Sequence, residues 1–116
     1  MVYETQIYAQ ELIKIKLAKK EEITSFEIDK AAREYIAERN YPPFPYSLGH
    51  GIGLEVHELP YLNPSHHEFL ENNIVFTLEP GIHLPGEIGV RIEDMFLIQN
   101  NKLLQLSHSP NTLLEL

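Results

Sequence analysis

The chain contains no cysteine and no tryptophan, and only two of its 116 residues are aspartates. The absence of cysteine excludes disulfides, thiolate zinc sites and a cysteine nucleophile. No run of apolar residues approaches the ~18 that a membrane span needs, and the first residues carry neither the basic nor the apolar part of a signal peptide. We therefore expect a cytoplasmic protein that does not enter a membrane.

Basic residues are also few, since nine lysines and arginines stand against 17 aspartates and glutamates, for a net charge of −8. A surface that binds phosphate groups needs clustered lysine and arginine, so nucleic acid is not expected as a partner. The length allows one domain with its own hydrophobic core.

Hydrophobic spacing predicts helices in the first third of the chain. Residues 2–19 have the pattern of an amphipathic helix. Its predicted apolar stripe follows Tyr8, Leu12 and Ile15 and is widened by Ile7, Ala9, Ile13 and Leu17. The capping-box sequence TSFE at residues 24–27 is expected to begin a second helix, which runs to about Arg39. Two helices joined by a short link form a helical hairpin.

The remainder has the pattern of β-structure. Predicted strands cover residues 54–57, 74–79, 88–98 and 103–106. Because the helices precede the strands, the expected fold class is α+β, with the helix pair packed on one face of an antiparallel sheet.

Two glutamates could meet on this sheet. Thr77 and Glu79 share one face of a predicted strand, and Arg91 and Glu93 share one face of another. If the two strands are neighbours, Glu79 and Glu93 converge beside Arg91, and their repulsion would be relieved by a divalent cation. The alternative is that both glutamates are exposed on a solvent face.

The histidines have different neighbours in the sequence. His50 lies between two glycines, which allow close approach, so it is a candidate metal ligand or else a hydrogen-bonded structural residue. His57 follows seven residues later. His83 either lines a cleft or is structural, and the pair His66 and His67 is expected on the surface.

Three motifs in order carry a resemblance to a known family. Residues 48–58 (LGHGIGLEVHE), 76–82 (FTLEPGI) and 89–94 (GVRIED) resemble the pita-bread metallopeptidases, which include methionine aminopeptidase, Xaa-Pro aminopeptidase and Xaa-Pro dipeptidase (prolidase). The order and the spacings also match, and the resemblance is closest to the bacterial Xaa-Pro peptidases. The implied fold is the C-terminal half of the pita-bread fold.

The resemblance implies a role for five side chains. His50 resembles the histidine metal ligand, Glu79 a carboxylate ligand that also shuttles protons, and Glu93 the carboxylate that bridges two metals. His57 resembles the histidine that contacts the scissile peptide, and Arg91 the arginine beside the bridging glutamate. The implied reaction is hydrolysis of Xaa-Pro peptide bonds at two divalent ions, Mn²⁺ or Co²⁺, with Zn²⁺ as an alternative.

The chain departs from the family in two places. Two aspartate ligands that the family supplies upstream are absent, and Tyr46 stands where the family often has a second histidine. We therefore expect residues 1–116 to be a partial catalytic domain that holds at most one ion, weakly, and is inactive alone. Self-association or an N-terminal partner segment is expected to cover its open face.

Two other hypotheses remain for the function. The chain could be a non-catalytic module that binds peptides or a protein partner, or a purely structural fragment. Neither dipeptidase nor aminopeptidase specificity is indicated by the residues present.

Overall fold

The computed structural model describes all residues from 1 to 116 as two helices followed by seven strands. The elements are α1 Val2–Ala18, α2 Ser25–Ala37, β1 Gly49–Gly51, β2 Glu58–Leu62, β3 Ile74–Leu78, β4 Gly81–Leu84, β5 Ile88–Arg91, β6 Asp94–Gln99 and β7 Lys102–Gln105. Neither helix has the length and the apolar run that crossing a bilayer requires.

Five strands form one antiparallel sheet in the order β2-β1-β3-β6-β7, and β4 and β5 form a separate two-stranded ladder. Helix α1 contacts β7 and helix α2 contacts β2, so the helix pair spans the sheet between its two edges. Phe44, Phe76 and Phe96 are the largest side chains of the core between these layers. The predicted α+β arrangement is confirmed.

The start of α2 follows its predicted capping sequence. The Thr24 hydroxyl accepts a hydrogen bond from the backbone N–H of Glu27 at 3.2 Å and donates one to the Glu27 carboxylate at 3.0 Å. The Thr24 hydroxyl and the Glu27 N–H are therefore both hydrogen-bonded within the first turn, and this pairing fixes where the helix begins.

The buried face of α1 differs from the predicted one. Tyr8 and Ile15 are 41% and 51% exposed, whereas Ala9, Ile13 and Leu17 of the predicted stripe are buried together with Gln6. The predicted stripe is therefore correct on one side and wrong on the other, and the helix turns a mixed polar and apolar face to the sheet.

Two predicted strands are also wrong in detail. Residues 54–57 form an exposed bend between β1 and β2, because the β1–β2 register shifts after His50. The predicted strand over residues 88–98 is divided into β5 and β6 at Ile92 and Glu93, and β4 was not predicted. Pro80 lies opposite this break and has no N–H to donate to a ladder.

Candidate metal centre

The two candidate carboxylates lie at one gap in a long hairpin. On one side of the gap Leu78 of β3 pairs with Asp94 of β6, and on the other side Gly81 of β4 pairs with Arg91 of β5. The register of the two strand pairs is the same, so it continues across the gap. Glu79 and Glu93 therefore occupy opposing positions where the ladder is interrupted. The sequence predicted this convergence, although it treated β5 and β6 as one strand.

His50 reaches the same place from β1, which lies between β2 and β3. A Cβ atom at Gly49 would collide with the Thr77 carbonyl group, so a side chain there would push β1 away from β3. The His50 ring is buried, and its Nδ1 lies 2.9 Å from the Gly51 carbonyl oxygen. Because a carbonyl only accepts, Nδ1 carries the proton, and in the neutral ring the lone pair is on Nε2.

The three side chains form one cluster. One ligand atom from each of His50, Glu79 and Glu93 lies within 4.8 Å of the other two, and His50 Nε2 is 3.6 Å from a Glu79 carboxylate oxygen. Oxygen ligands bind divalent ions at about 2.0–2.6 Å, which puts ligands on opposite sides of one ion about 4–5 Å apart. The residues present therefore fit a single divalent cation.

The electrostatics of the cluster also favour a cation. The pKa of Glu79 is raised from 4.5 to about 7, first by burial and then by its hydrogen bond with Glu93 and the charge of that neighbour. His50 and the hydrogen bond from Thr77 act in the opposite direction. Two carboxylates this close share a proton near neutral pH, and a metal ion bound between them would take the place of that proton.

Thr77 connects two members of the cluster, and sequence reasoning missed this role. Its hydroxyl accepts a hydrogen bond from the His50 backbone N–H at 3.1 Å and donates one to the Glu79 carboxylate at 3.2 Å. The available signal was strand alternation, which put Thr77 on the same face as Glu79.

The other two predicted site residues lie at the rim of the cluster. His57 is exposed, and its ring centroid is 4.4 Å from that of His50. Arg91 is exposed on β5, with its guanidinium carbon 4.9 Å from the ring centroid of Tyr46. His57 thus lies against a member of the cluster, whereas Arg91 packs on Tyr46.

Tyr46 and His83 form a pair that the sequence did not predict. The Tyr46 hydroxyl lies 3.2 Å from His83 Nε2, and the two rings meet edge to face. A Cβ atom at Gly81 would occupy the position of the Tyr46 hydroxyl, so glycine at that position makes the contact possible. His83 is thus paired with Tyr46, and the hypothesis that it lines a cleft stays a prediction.

The remaining histidines and both aspartates have other partners. His66 is hydrogen-bonded to Asn63, and His67 is exposed and stacks on Phe26. Asp29 and Asp94 are both buried, and neither belongs to the cluster.

The profile of metallopeptidase family M24 matches residues 2–100 of the chain. The chain belongs to this family. Among M24 relatives, it is 42% identical over 114 residues to a Xaa-Pro dipeptidase of Pyrococcus horikoshii, an alignment that covers 97% of this chain and 32% of the relative. It is 41% identical over 87 residues to a putative Xaa-Pro aminopeptidase of Mycoplasma pneumoniae, which covers 74% of this chain and 25% of the relative.

A solved M24 structure agrees with the fold. The crystal structure of the X-Pro aminopeptidase from Thermotoga maritima superposes with a TM-score of 0.84 at 39% identity, over 96% of this chain and 30% of that one. The pita-bread fold expected from the motifs is therefore confirmed. The chain spans about a quarter to a third of the length of these M24 relatives.

Proposed function

We propose that the chain supplies part of the catalytic centre of a metal-dependent peptidase that hydrolyses Xaa-Pro peptide bonds. The observation that carries this proposal is the convergence of the His50, Glu79 and Glu93 ligand atoms within 4.8 Å. Membership of the M24 family and the Xaa-Pro peptidases among the relatives support the substrate class.

Each residue of the cluster has a role in this proposal. His50 Nε2 and the carboxylates of Glu79 and Glu93 hold the ion, which when bound supplies a Lewis acid that activates water and polarises the peptide carbonyl. In this proposal Glu79 also takes and gives a proton during the reaction. In the same proposal His57 contacts the scissile peptide, and Arg91 is the arginine beside Glu93.

The three ligands hold one ion in this proposal, and a second ion needs carboxylates that these residues do not contain. Two carboxylates and one imidazole suit Mn²⁺ or Co²⁺, with Zn²⁺ as the alternative. We therefore expect residues 1–116 alone to bind one ion weakly and to have no peptidase activity. The cytoplasmic location expected from the sequence stays a prediction.

A partner would complete the centre and cover an apolar surface of the β4–β5 hairpin. We call this surface the hairpin face; Ile88 and Val90 are its exposed residues, and it also includes partly buried Leu84 and Ile92 and buried Ile82. Together with residues from both ends of the chain it lines a groove of about 500 Å³. All of β5 is exposed, so the face is open to either a second copy or an N-terminal segment of the kind the longer relatives contain.

Calorimetric titration with Mn²⁺ tests the proposed metal site. The wild-type chain should bind one ion, and Glu93→Ala should abolish binding because it removes one of three ligands. Glu87→Ala is the matched control, since Glu87 is an exposed glutamate in the turn of the same hairpin. Equal binding by the wild type and Glu93→Ala would refute the assignment.

A non-catalytic peptide-binding module is the second candidate, because only one ion can be held. Under the peptidase proposal, a Mn²⁺-loaded mixture of this chain with an N-terminal segment that supplies two aspartates should hydrolyse an Xaa-Pro dipeptide. Binding of the dipeptide without hydrolysis in that mixture would favour the binding module.

A further inference from the structure

Gln6 is a buried glutamine on α1 whose side chain contacts the residues adjacent in sequence to both candidate ligands. Its Nε2 donates one hydrogen bond to the Leu78 carbonyl oxygen and one to the Asp94 carboxylate, each at 3.1 Å. Leu78 directly precedes Glu79, and Asp94 directly follows Glu93. A single amide group therefore ties together the two chain segments from which the ligand carboxylates project.

These two hydrogen bonds of Gln6 lie at the gap in the ladder, where the two ligand segments stop pairing with each other. Leu78 and Asp94 are the last pair of the β3–β6 ladder, and beyond them the regular pairing stops until Gly81 meets Arg91. Across the gap the backbone N–H of Ile92 makes only a long hydrogen bond of 3.3 Å to Pro80. The spacing of the two carboxylates thus depends on contacts from outside the ladder.

The amide is held in one orientation from both sides. Gln10 Nε2 donates to Gln6 Oε1 at 3.3 Å, and the Ser107 hydroxyl donates to the second oxygen of Asp94 at 2.7 Å. Since the Leu78 carbonyl accepts only, Gln6 must present its NH₂ group to the sheet. The three hydrogen bonds of Gln6 are buried, where a lost partner is costly.

We propose that Gln6 is a positioning residue that sets the spacing of Glu79 and Glu93 by bridging the residues next to them. The predicted effect on metal affinity rests on the proposed function, whereas the hydrogen bonds from Gln6 to Leu78 and Asp94 do not depend on it. Loss of groups that orient metal ligands commonly weakens metal affinity by about 10–100-fold.

Gln6→Asn tests this role, because it keeps the amide but withdraws it by one methylene, so that it no longer spans both acceptors. Gln99→Asn is the matched control, since Gln99 is an exposed glutamine at the opposite end of β6 from Asp94 and is not hydrogen-bonded to Gln6, Leu78 or Asp94. Affinity for Mn²⁺ should fall at least tenfold in Gln6→Asn and stay within about twofold of wild type in Gln99→Asn. Both affinities are measured under conditions in which each variant is fully folded.

Amide hydrogen exchange of the metal-free proteins supplies a second readout. Exchange at the Glu79 and Ile92 amides should rise at least tenfold in Gln6→Asn relative to the Ile28 amide in α2, with no such local change in Gln99→Asn. If Gln6→Asn does not fold, the wild-type Gln6 side-chain NH₂ signals serve instead. They should shift in NMR spectra on titration with diamagnetic Zn²⁺, whereas those of exposed Gln99 should not.

The outcomes separate the two proposals. If the wild-type chain binds no metal but exchange rises locally in Gln6→Asn, the proposed function fails and the bridge stands. If Gln6→Asn keeps wild-type affinity and wild-type exchange at Glu79 and Ile92, the positioning role is overturned and the metal site remains. Unmoved Gln6 signals in a Zn²⁺-bound wild-type chain would overturn it as well.

Discussion

Glu79 combines most of the chemistry of the centre in one carboxyl group. It is a candidate ligand, it shares a hydrogen bond with Glu93, and its second contact is the Thr77 hydroxyl. Burial and the neighbouring charge of Glu93 raise the pKa of Glu79. They therefore disfavour its charged form at neutral pH unless a cation is bound. The effect of this carboxyl group on the stability of the metal-free protein can be measured without any substrate.

We expect Glu79 to reduce the stability of the metal-free protein as the pH rises. Its pKa is about 7 in the folded chain, against an ordinary value of 4.5, so between these values the folded state holds more protons than the unfolded state. The free energy of unfolding therefore falls across this window as the pH rises, and the loss is complete above about pH 7.

Urea unfolding at pH 5 and pH 8 measures this effect. The wild type should lose more stability between the two values than Glu79→Gln, which has no proton to release at this position. Parallel losses in the two proteins would contradict the shifted pKa.

Among the secondary-structure elements, α2 fixes the loop that leads to His50. Arg33 on α2 makes a two-pronged ion pair with buried Asp29, at 2.7 and 3.1 Å, and donates to the carbonyl oxygens of Phe44 and Tyr46, each at 2.6 Å. Asp29 in turn accepts a hydrogen bond from the Leu48 backbone N–H at 3.1 Å. One pair of charges thus holds the loop at three points.

Arg33→Ala should destabilise the chain by about 3–5 kcal/mol, because it leaves the Asp29 charge buried without its partner. Lys30→Ala is the matched control on the same helix. The Lys30–Glu34 pair is 3.7 Å apart with both side chains about 60% exposed, and its loss should cost at most about 0.5 kcal/mol. Urea unfolding measures both losses of stability. Similar losses in the two variants would contradict the stabilising role of the Arg33–Asp29 pair.

The sequence predicted the elements that repeat a simple pattern and missed those that depend on partners far along the chain. Apolar spacing and the capping sequence located α1 and α2, and strand alternation brought Glu79 and Glu93 together. The buried face of α1 was misassigned because Gln6 is polar, and its partners lie more than 70 residues away. Such a long-range contact leaves no local pattern in the sequence.

The strand boundaries were missed for a related reason. The continuous β-like sequence of residues 88–98 does not reveal that its partner contains Pro80, which interrupts the ladder. The His50, Glu79 and Glu93 set came from the family motifs, whereas the hydroxyl of Thr77 and the Tyr46–His83 pair emerge only when β1, β3 and β4 are assembled.

For the molecule as a whole, the open metal centre and the hairpin face lie on the same hairpin. Glu79 and Glu93 are at its base, and the apolar side chains of the hairpin face line the groove behind it. A partner that supplies further ligands would cover apolar surface at the same time, so completion of the site and burial of the face would be coupled.

Without another partner, the hairpin face should cause the chain to self-associate. Sedimentation velocity should give a species larger than the 13.4 kDa monomer for the wild type, and Val90→Lys should shift it towards the monomer by putting a charge on the face. Gln99→Lys, an exposed position on β6, is the control and should leave association unchanged. A monomeric wild type at high concentration would exclude self-association through this face.

Anomalous X-ray diffraction from crystals grown with Mn²⁺ tests the central claim most directly. We predict a single manganese peak bonded to His50 Nε2 and to the carboxylates of Glu79 and Glu93, at about 2.0–2.6 Å from each. A peak elsewhere, or three head groups too far apart for one ion to touch them all, would contradict the proposed metal centre.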